Sequence, residues 1–342
     1  MRLLALALTA CAGNAPPAWS PGELYIEQIG LGAGTIGEAA LLVGPEGTAV
    51  LLDVGNDAHA DAVAEAVERA TGSRRVDWIV LTHFHADHVG GMDDLGVEVT
   101  RGVVTRGDLD RTDDANADEW DEVTALRAVL PFVDLCEGEG VATGCPGLAG
   151  PGVSEGPGVL ALGEGAELRV LVADGFTVTD TGVAAFGELG ADENARSLGG
   201  IVRWGDFVYW WGGDLTGGGK GTPDVEGWLA GVLPADALPP EGVDVAHLHH
   251  HGISSSTSAA WAARLFPGDT HGAAIVGATG AYLDAPSDEA LATVGPRLGD
   301  GLVWATENGW TATTDDRLHV AHGSVVVRVA ADGAWRVEGG GR

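Results

Sequence analysis

The feature that most limits how this chain can fold is an apolar run, Val76-Asp77-Trp78-Ile79-Val80-Leu81, followed directly by Thr82-His83-Phe84-His85-Ala86-Asp87-His88-Val89-Gly90-Gly91. The run reads as a buried strand of the kind found in α/β proteins. Just past it, alternate residues of an extended chain face the same side, so His83 and His85 offer two imidazoles to one metal ion. Asp87 and His88 follow as the chain turns, and can face a second ion a few ångströms away, as a two-metal hydrolytic site requires. Gly90 and Gly91 are expected to let the backbone turn tightly without a Cβ clash. Three histidines and one aspartate within six residues, at the end of a buried strand, are more than a surface turn accounts for.

Composition narrows the partners. The chain has 342 residues, 45% of them hydrophobic, which is ample for a core but does not decide between one large domain and two small ones. Its formal net charge is -32, and Lys220 is the only lysine among 18 basic residues. Such a field repels nucleic acid and anionic membranes at long range and argues against nucleic acid as a partner. A small-molecule or phosphodiester substrate can still reach a site whose metal ions are the local positive charge.

At the N-terminus, Met1-Arg2 precedes a short apolar run, Leu3 to Ala10, too short to span a bilayer but suited to the core of a signal peptide, residues 1–10. Leu8-Thr9-Ala10-Cys11 resembles the bacterial lipobox, in which the cysteine is lipidated and becomes the mature N-terminus. Residues 11–22 then read as a flexible tether. The expectation is an exported lipoprotein, held to the membrane through a lipid on Cys11 and facing the periplasm or cell exterior. Cys136 and Cys145 bracket the glycine-rich loop Glu137 to Gly144; in an oxidising compartment they are expected to pair.

Along the chain, strands are expected at Leu24–Ile29, Ala39–Val43, Ala49–Leu52, 97–105, 159–162, 168–173 and 243–248. The stretch from Glu193 to Asp214 has an antiparallel hairpin pattern with Gly205-Asp206 at its turn, further strands are expected at 273–276 and 302–306, and a closing hairpin over 325–329 and 335–337. Helices are expected over about 58–70, 118–130, 225–233, 259–265 and 288–298, and a loop insertion from Cys136 to Pro157. Gly32-Ala33-Gly34-Thr35-Ile36-Gly37 matches a dinucleotide fingerprint, but a strand follows it where a helix is required, so it is discounted. The acidic stretch from Asp108 to Glu119, which includes Asp113 and Asp114, reads as a solvated face. His271, His319 and His322 stand alone and read as surface or core groups.

The pattern Thr-His-x-His-x-Asp-His-x-Gly-Gly at 82–91 resembles the signature of the metallo-β-lactamase fold superfamily. The order Asp-x-Gly at 53–55, the histidine motif, Asn194-x-x-Ser197-Leu198, Gly213-Asp214 and His250-His251-Gly252 is most similar to the hydrolase domain of ComEC-type competence proteins and to choline-phosphate esterases. This resemblance implies a four-layer αβ/βα sandwich over residues 23–338 and a metal-dependent hydrolase of phosphodiester or ester bonds. A lactone or β-lactam hydrolase, or an anchored binding protein without catalysis, are the alternatives. It implies two divalent ions, zinc first and manganese second, held by His83, His85, Asp87, His88, Asp214 and His251. Asp214 would bridge them, Asp53 would lie beneath the ligand loop, Asp87 would be catalytic as well as a ligand, and His250 would act beside the substrate as an acid or oxyanion donor. Asn194 and Ser197 fall in the matching motif; His249 precedes it and inherits no role. The chain departs from the superfamily in one respect: between His88 and His247 there is no histidine, so the imidazole that usually completes the first metal site is missing. Asn194 or water is left to fill that place.

Overall fold

The computed structural model describes residues 18–339, apart from 113, 151, 269–271, 282–283, 300 and 309–314. The expected signal peptide, Cys11, most of the tether, Asp113 and His271 lie outside the described residues.

Alternation in the early strands creates the layers. In Glu23–Gln28, Ala40–Val43, Ala49–Leu52 and Arg75–Val80, successive residues are apolar on both faces, so each strand is buried from two sides. Tyr25, Leu41, Val43, Leu51 and Ile79 turn one way, against Val63, Ala66, Val67 and Ala70 of the helix Ala60–Thr71. Leu24, Ile26, Leu42, Val50 and Val80 turn the other way and pack against the second sheet. The first sheet runs in the order Trp335–Gly339, Val325–Ala330, Glu23–Gln28, Ala40–Val43, Ala49–Leu52, Arg75–Val80, Glu98–Thr105, Phe132–Asp134. The second runs Gly182–Ala185, Phe176–Thr179, Ala166–Ala173, Gly199–Trp204, Phe207–Gly212, Val245–His247, Ala273–Val276, Val303–Ala305, Leu318–Val320. Val159–Gly163 pairs alongside Ala166–Ala173. The apolar residues of the helices Val225–Val232, Ala259–Leu265 and Asp288–Val294 join the core of the second sheet, and the expected αβ/βα sandwich follows.

The closing hairpin does not end the second sheet; it crosses back and pairs antiparallel with the first strand, Glu23 opposite Ala330. Four strands, Phe132–Asp134, Phe176–Thr179, Gly182–Ala185 and Leu318–Val320, were not expected from the sequence, being short or lying at or near sheet edges. The helix expected over 118–130 spans Ala117–Leu126 and that over 288–298 stops at Val294, where Gly295-Pro296 turns the chain into a 3-10 turn. A strand, not a helix, follows Gly37, as expected for a discounted fingerprint. Cys136 and Cys145 form a disulfide that closes the glycine-rich loop.

One buried cation joins the two sheets near the histidine motif. Arg106, 1% exposed, donates to Asp174 at 3.0 Å and Glu193 at 3.2 Å. Its guanidinium lies 5.2 Å from the centroid of the Phe84 ring. Glu193 in turn accepts the Phe84 N–H at 3.0 Å. Replacing Arg106 by Met should leave buried Glu193 without its cation, while Asp174 keeps Arg196 at 2.7 Å, and lower the unfolding free energy by about 3–5 kcal/mol. Urea denaturation checks this; a loss below about 1 kcal/mol would show that the cation does not hold the sheets together.

Candidate metal centre

Four strand ends meet at one edge of the sandwich. Ala49–Leu52 and Arg75–Val80 run parallel in the first sheet and deliver Asp53 and Thr82–His88 from their C-terminal ends. Phe207–Gly212 and Val245–His247 run parallel in the second sheet and deliver Asp214 and His249–His251. A backbone seam through Leu198 ties three of these strand ends together. Leu198 N–H donates to Thr82 O at 2.9 Å, Gly213 N–H to Leu198 O at 3.1 Å, and His250 N–H to Gly213 O at 3.3 Å. Gly213 must be glycine here, because a Cβ would stand 2.4 Å from Thr82 Oγ1. Gly90 and Gly91 are explained by space as well. They open the tight 3-10 turn Gly90–Met92 without a positive φ, and, as expected, a Cβ would clash: one on Gly90 would lie 2.8 Å from Asp57 Oδ1 and one on Gly91 2.9 Å from Val54 O.

Every imidazole expected to ligate has its far nitrogen occupied. Asp53 is the hub: it accepts Thr82 N–H and Thr82 O–H, each at 2.7 Å, and His88 Nδ1–H at 2.7 Å. Because Thr82 Oγ1 spends its proton on Asp53, it accepts from His83 Nδ1 at 3.0 Å. His85 Nε2 faces Asp114, 3.2 Å from its carbonyl and 3.5 Å from its carboxylate. Asp114 is therefore more than part of a solvated acidic face. His251 Nδ1 lies 2.9 Å from Gly277 O and 2.8 Å from Glu38 Oε2.

The near nitrogens then converge. His83 Nε2 lies 3.1 Å from His85 Nδ1 and 3.8 Å from Asp214 Oδ2. His88 Nε2 is 3.3 Å from Asp214 Oδ1, and His251 Nε2 is 3.6 Å from Asp214 Oδ2 and 3.4 Å from Asp87 Oδ2. His88 Nε2 and Asp214 Oδ1 are buried and, though 3.3 Å apart, neither has a hydrogen-bond partner of good geometry among the described residues, an expensive arrangement unless a cation sits between such donors. Imidazole nitrogens backed by outer acceptors, with carboxylate oxygens among them, are the donor set that divalent transition metals take. The residues therefore fit divalent metal.

His250 Nε2 stands 3.6 Å from Asp214 Oδ2 and 3.4 Å from Asn194 Nδ2, while Ser255 Oγ lies 3.0 Å from its Nδ1. Ser197 Oγ accepts Asp214 N–H at 3.0 Å. All ten residues singled out from the sequence thus lie in or directly against one cluster. His249 points away: its Nε2 accepts Trp210 Nε1–H at 2.7 Å and its Nδ1 donates to buried Glu226 at 2.8 Å, fastening the histidine loop to the second sheet. His319 and His322 are exposed and remote in kind, one against Trp304 and the other paired with Glu307.

Sequence reasoning missed Glu38. Its carboxylate lies between His247 and His251, and with His88, Asp214 and His251 it forms a buried cluster of metal-ligating type. Both of its oxygens face imidazoles, so it supports His251 from behind. The available signal was an acid opening a wholly apolar strand, Glu38-Ala39-Ala40-Leu41-Leu42-Val43. His247, a histidine inside an apolar strand, was the matching signal on the other sheet.

Charge is distributed to match. Burial alone would lower the His88 pKa, but Asp214, Asp87 and Asp53 outweigh it and hold His88 well above its ordinary value. Against the same burial, Asp214, Asp87 and Glu38 push His251 up to about 10. Asp214 is held well below the usual carboxylate range, His88, His251 and His250 overcoming its burial. Burial lowers His83 and His250, which stay neutral.

Residues 34–98 match the family model described as the metallo-beta-lactamase superfamily. Among solved structures, the chain is similar to a diphosphatase of the PhnP family (12% identity, 89% of this chain and 97% of that one, TM-score 0.42). It is also similar to the subclass B3 metallo-beta-lactamase MEM-A1 from a soil metagenome library (16% identity, 69% and 80%, TM-score 0.37). A third similar structure is a metallo-beta-lactamase from Cronobacter sakazakii (19% identity, 67% and 75%, TM-score 0.33). Similarity at this level says nothing of the chemistry. A search of the curated proteins finds no match.

Metal uptake must displace the protons on His88 and His251, so titration at neutral pH should release about two protons per chain, and affinity should fall with pH. Calorimetry in two buffers of different ionisation enthalpy measures the release; none at all would refute the assignment of these nitrogens. In metal-free protein the raised His251 contributes stability that is present below its ordinary 6.5 and lost as pH rises through about 10.

Proposed function

We propose that this chain, a hydrolase of the metallo-beta-lactamase superfamily, cleaves phosphodiester or ester bonds with the help of two divalent ions. The observation that carries the reading is the convergence of His83 Nε2, His85 Nδ1, His88 Nε2 and His251 Nε2 on Asp214, with Asp87 Oδ2 beside His251. His83 and His85 would hold the first ion, Asp87, His88 and His251 the second, and Asp214 both. Ions in such a site activate water near neutral pH and offset charge gathering on a phosphoryl or carbonyl oxygen.

The remaining steps fall to the chain's own groups. Asp53, through Thr82 and His88, keeps the ligand nitrogens aimed and unprotonated when loaded. His250 is neutral, and its Nε2, accepting from the Asn194 amide, can take the proton given up by the attacking water and pass it to the leaving oxygen. Ser255 holds the other ring nitrogen and so fixes the ring's orientation. Asp87 keeps its negative charge, His88 and His251 lowering its pKa despite burial.

The order of motifs from Asp53 to Gly252 supports a ComEC-like substrate range within the superfamily, zinc or manganese as the metal, and a small phosphodiester over nucleic acid in view of the net charge of -32. The Cys136–Cys145 disulfide supports export, with residues 1–10 as a signal peptide and Cys11 as the lipidated anchor, and with residues 23–338 as the catalytic domain. No helix among the described residues is long and apolar enough to cross a membrane.

The full chain loaded with zinc or manganese should turn over bis(p-nitrophenyl) phosphate. His250→Ala should cost about 10²–10⁴-fold in kcat on the p-nitrophenyl ester, where only the proton of the attacking water has to be taken, and more on a phosphodiester with an alkoxide leaving group, whose oxygen has to be protonated as well. Loaded protein inert to phosphodiester, lactone and β-lactam substrates alike would sink the proposal.

A further inference from the structure

Histidine is absent from residues 89–246; of the other imidazoles at Asp214, His88 and His251 are assigned to the second ion and His250 Nε2 faces the Asn194 amide, so the half of the site held by His83 and His85 has no third imidazole of its own. Something else must complete that half of the site, and most neighbouring groups are already committed. Glu193 Oε1 accepts Phe84 N–H, and its Oε2 takes Arg106 at 3.2 Å and Thr112 Oγ1 at 2.6 Å. Asp114 stands at His85 Nε2, the nitrogen that faces away from His83. Asp192 Oδ1 caps the Ala195 N–H at 3.0 Å.

Asn194 differs from all of these. Its Oδ1 is buried and has no hydrogen-bond partner among the described residues, which costs about 1–3 kcal/mol unless a ligand supplies one. Its Nδ2 is anchored 3.4 Å from His250 Nε2, and that nitrogen is 3.6 Å from Asp214 Oδ2, so the amide stands at the rim of the metal-facing space. The turn that carries it is pinned at its far end, where Ser197 receives Asp214 N–H and Leu198 N–H reaches Thr82 O.

We infer that the Asn194 amide oxygen is a ligand of the first metal ion, in the place where a third imidazole would stand. This rests on the dinuclear reading above and deepens it. With two imidazoles, an amide oxygen and the shared Asp214, the first site is richer in oxygen than a three-histidine site. Oxygen donors suit harder ions such as Mn²⁺, whereas imidazole suits Zn²⁺. Asn194 is then the residue that sets which metal the first site prefers.

The test uses the full chain, freed of metal with a chelator and titrated with Zn²⁺ alone or Mn²⁺ alone, with elemental analysis after gel filtration. Wild type should hold two ions. Asn194→Ala should keep one at unchanged affinity and bind the other about tenfold or more weakly, while Asn194→Asp, which keeps the oxygen, should retain both. Asn194→His should tighten Zn²⁺ about tenfold or more and leave Mn²⁺ little changed. Retention of both ions by Asn194→Ala at wild-type affinity would overturn the inference, as would unchanged zinc affinity in Asn194→His. Wild type that binds one ion also overturns it but leaves a mononuclear hydrolase standing, whereas wild type that binds none removes the hydrolase reading itself. A wild-type melting temperature for Asn194→Ala, together with retention of both ions by Asn194→Asp, separates a lost ligand from a lost fold.

Discussion

Asp53 takes three hydrogen bonds on one buried carboxylate, and those bonds decide which way two imidazoles point. An imidazole has two nitrogens, and nothing in its chemistry prefers one for a metal; the choice belongs to whatever occupies the other. By holding His88 directly and His83 through the Thr82 hydroxyl, Asp53 leaves the Nε2 atoms of both free to face Asp214. The same logic recurs with other acceptors at His85, with Asp114, and at His251, with Gly277 and Glu38. A buried carboxylate is costly by itself; the three donors offset part of that cost, and burial still holds the Asp53 pKa above its ordinary value. Asp53 also adopts a left-handed backbone, φ 57°, which an L-residue tolerates only where its surroundings hold it there.

Strain of the same kind gathers on the opposite side of the site. His250 and His251 have φ values of 51° and 55°, so two successive residues of the histidine loop are left-handed. Glu226 accounts for how such a loop persists. This buried carboxylate accepts from His249 at the start of the loop and from the backbone N–H groups of Thr257 and Ser258 at its end. With both ends tied to one group, the turn between them has little freedom, and His250 and His251 emerge side by side with different tasks. The cost of the strained backbone is on the order of 1–3 kcal/mol per residue, and interior packing around Trp210 and Trp261 supplies the counterweight.

The electrostatic design reads as an inversion of the surface. A chain of net charge -32 buries at one edge of its sandwich a cluster in which two imidazolium groups balance several carboxylates when metal is absent. Divalent ions and protons compete for the same nitrogens, so metal occupancy, pH and local stability are linked at one place. The acidic exterior disfavours polyanions at a distance, while close to the site the field is set by the ions and their ligands.

The share of this arrangement legible in the sequence follows from the range of the forces involved. Period-two alternation, the glycine and proline breaks, and the run from Thr82 to Gly91 are local, and they determined all but four short strands of the two sheets, the αβ/βα class and the histidine ligands as candidates. Motif order linked Asp214, Asn194, Ser197 and His251 to that run, although 160 or more residues separate its ends from His251. What no local pattern contains is pairing between distant strands. That Val325–Ala330 returns to the first strand, that Asp114 stands behind His85, and that Glu38 and His247 meet between the sheets was decided only when the two sheets packed face to face. Hydrogen bonds and ion pairs act over about 3–4 Å, so their partners are chosen by which strand ends the fold brings to one edge, and the sequence alone names the chemistry of each group without naming its neighbour.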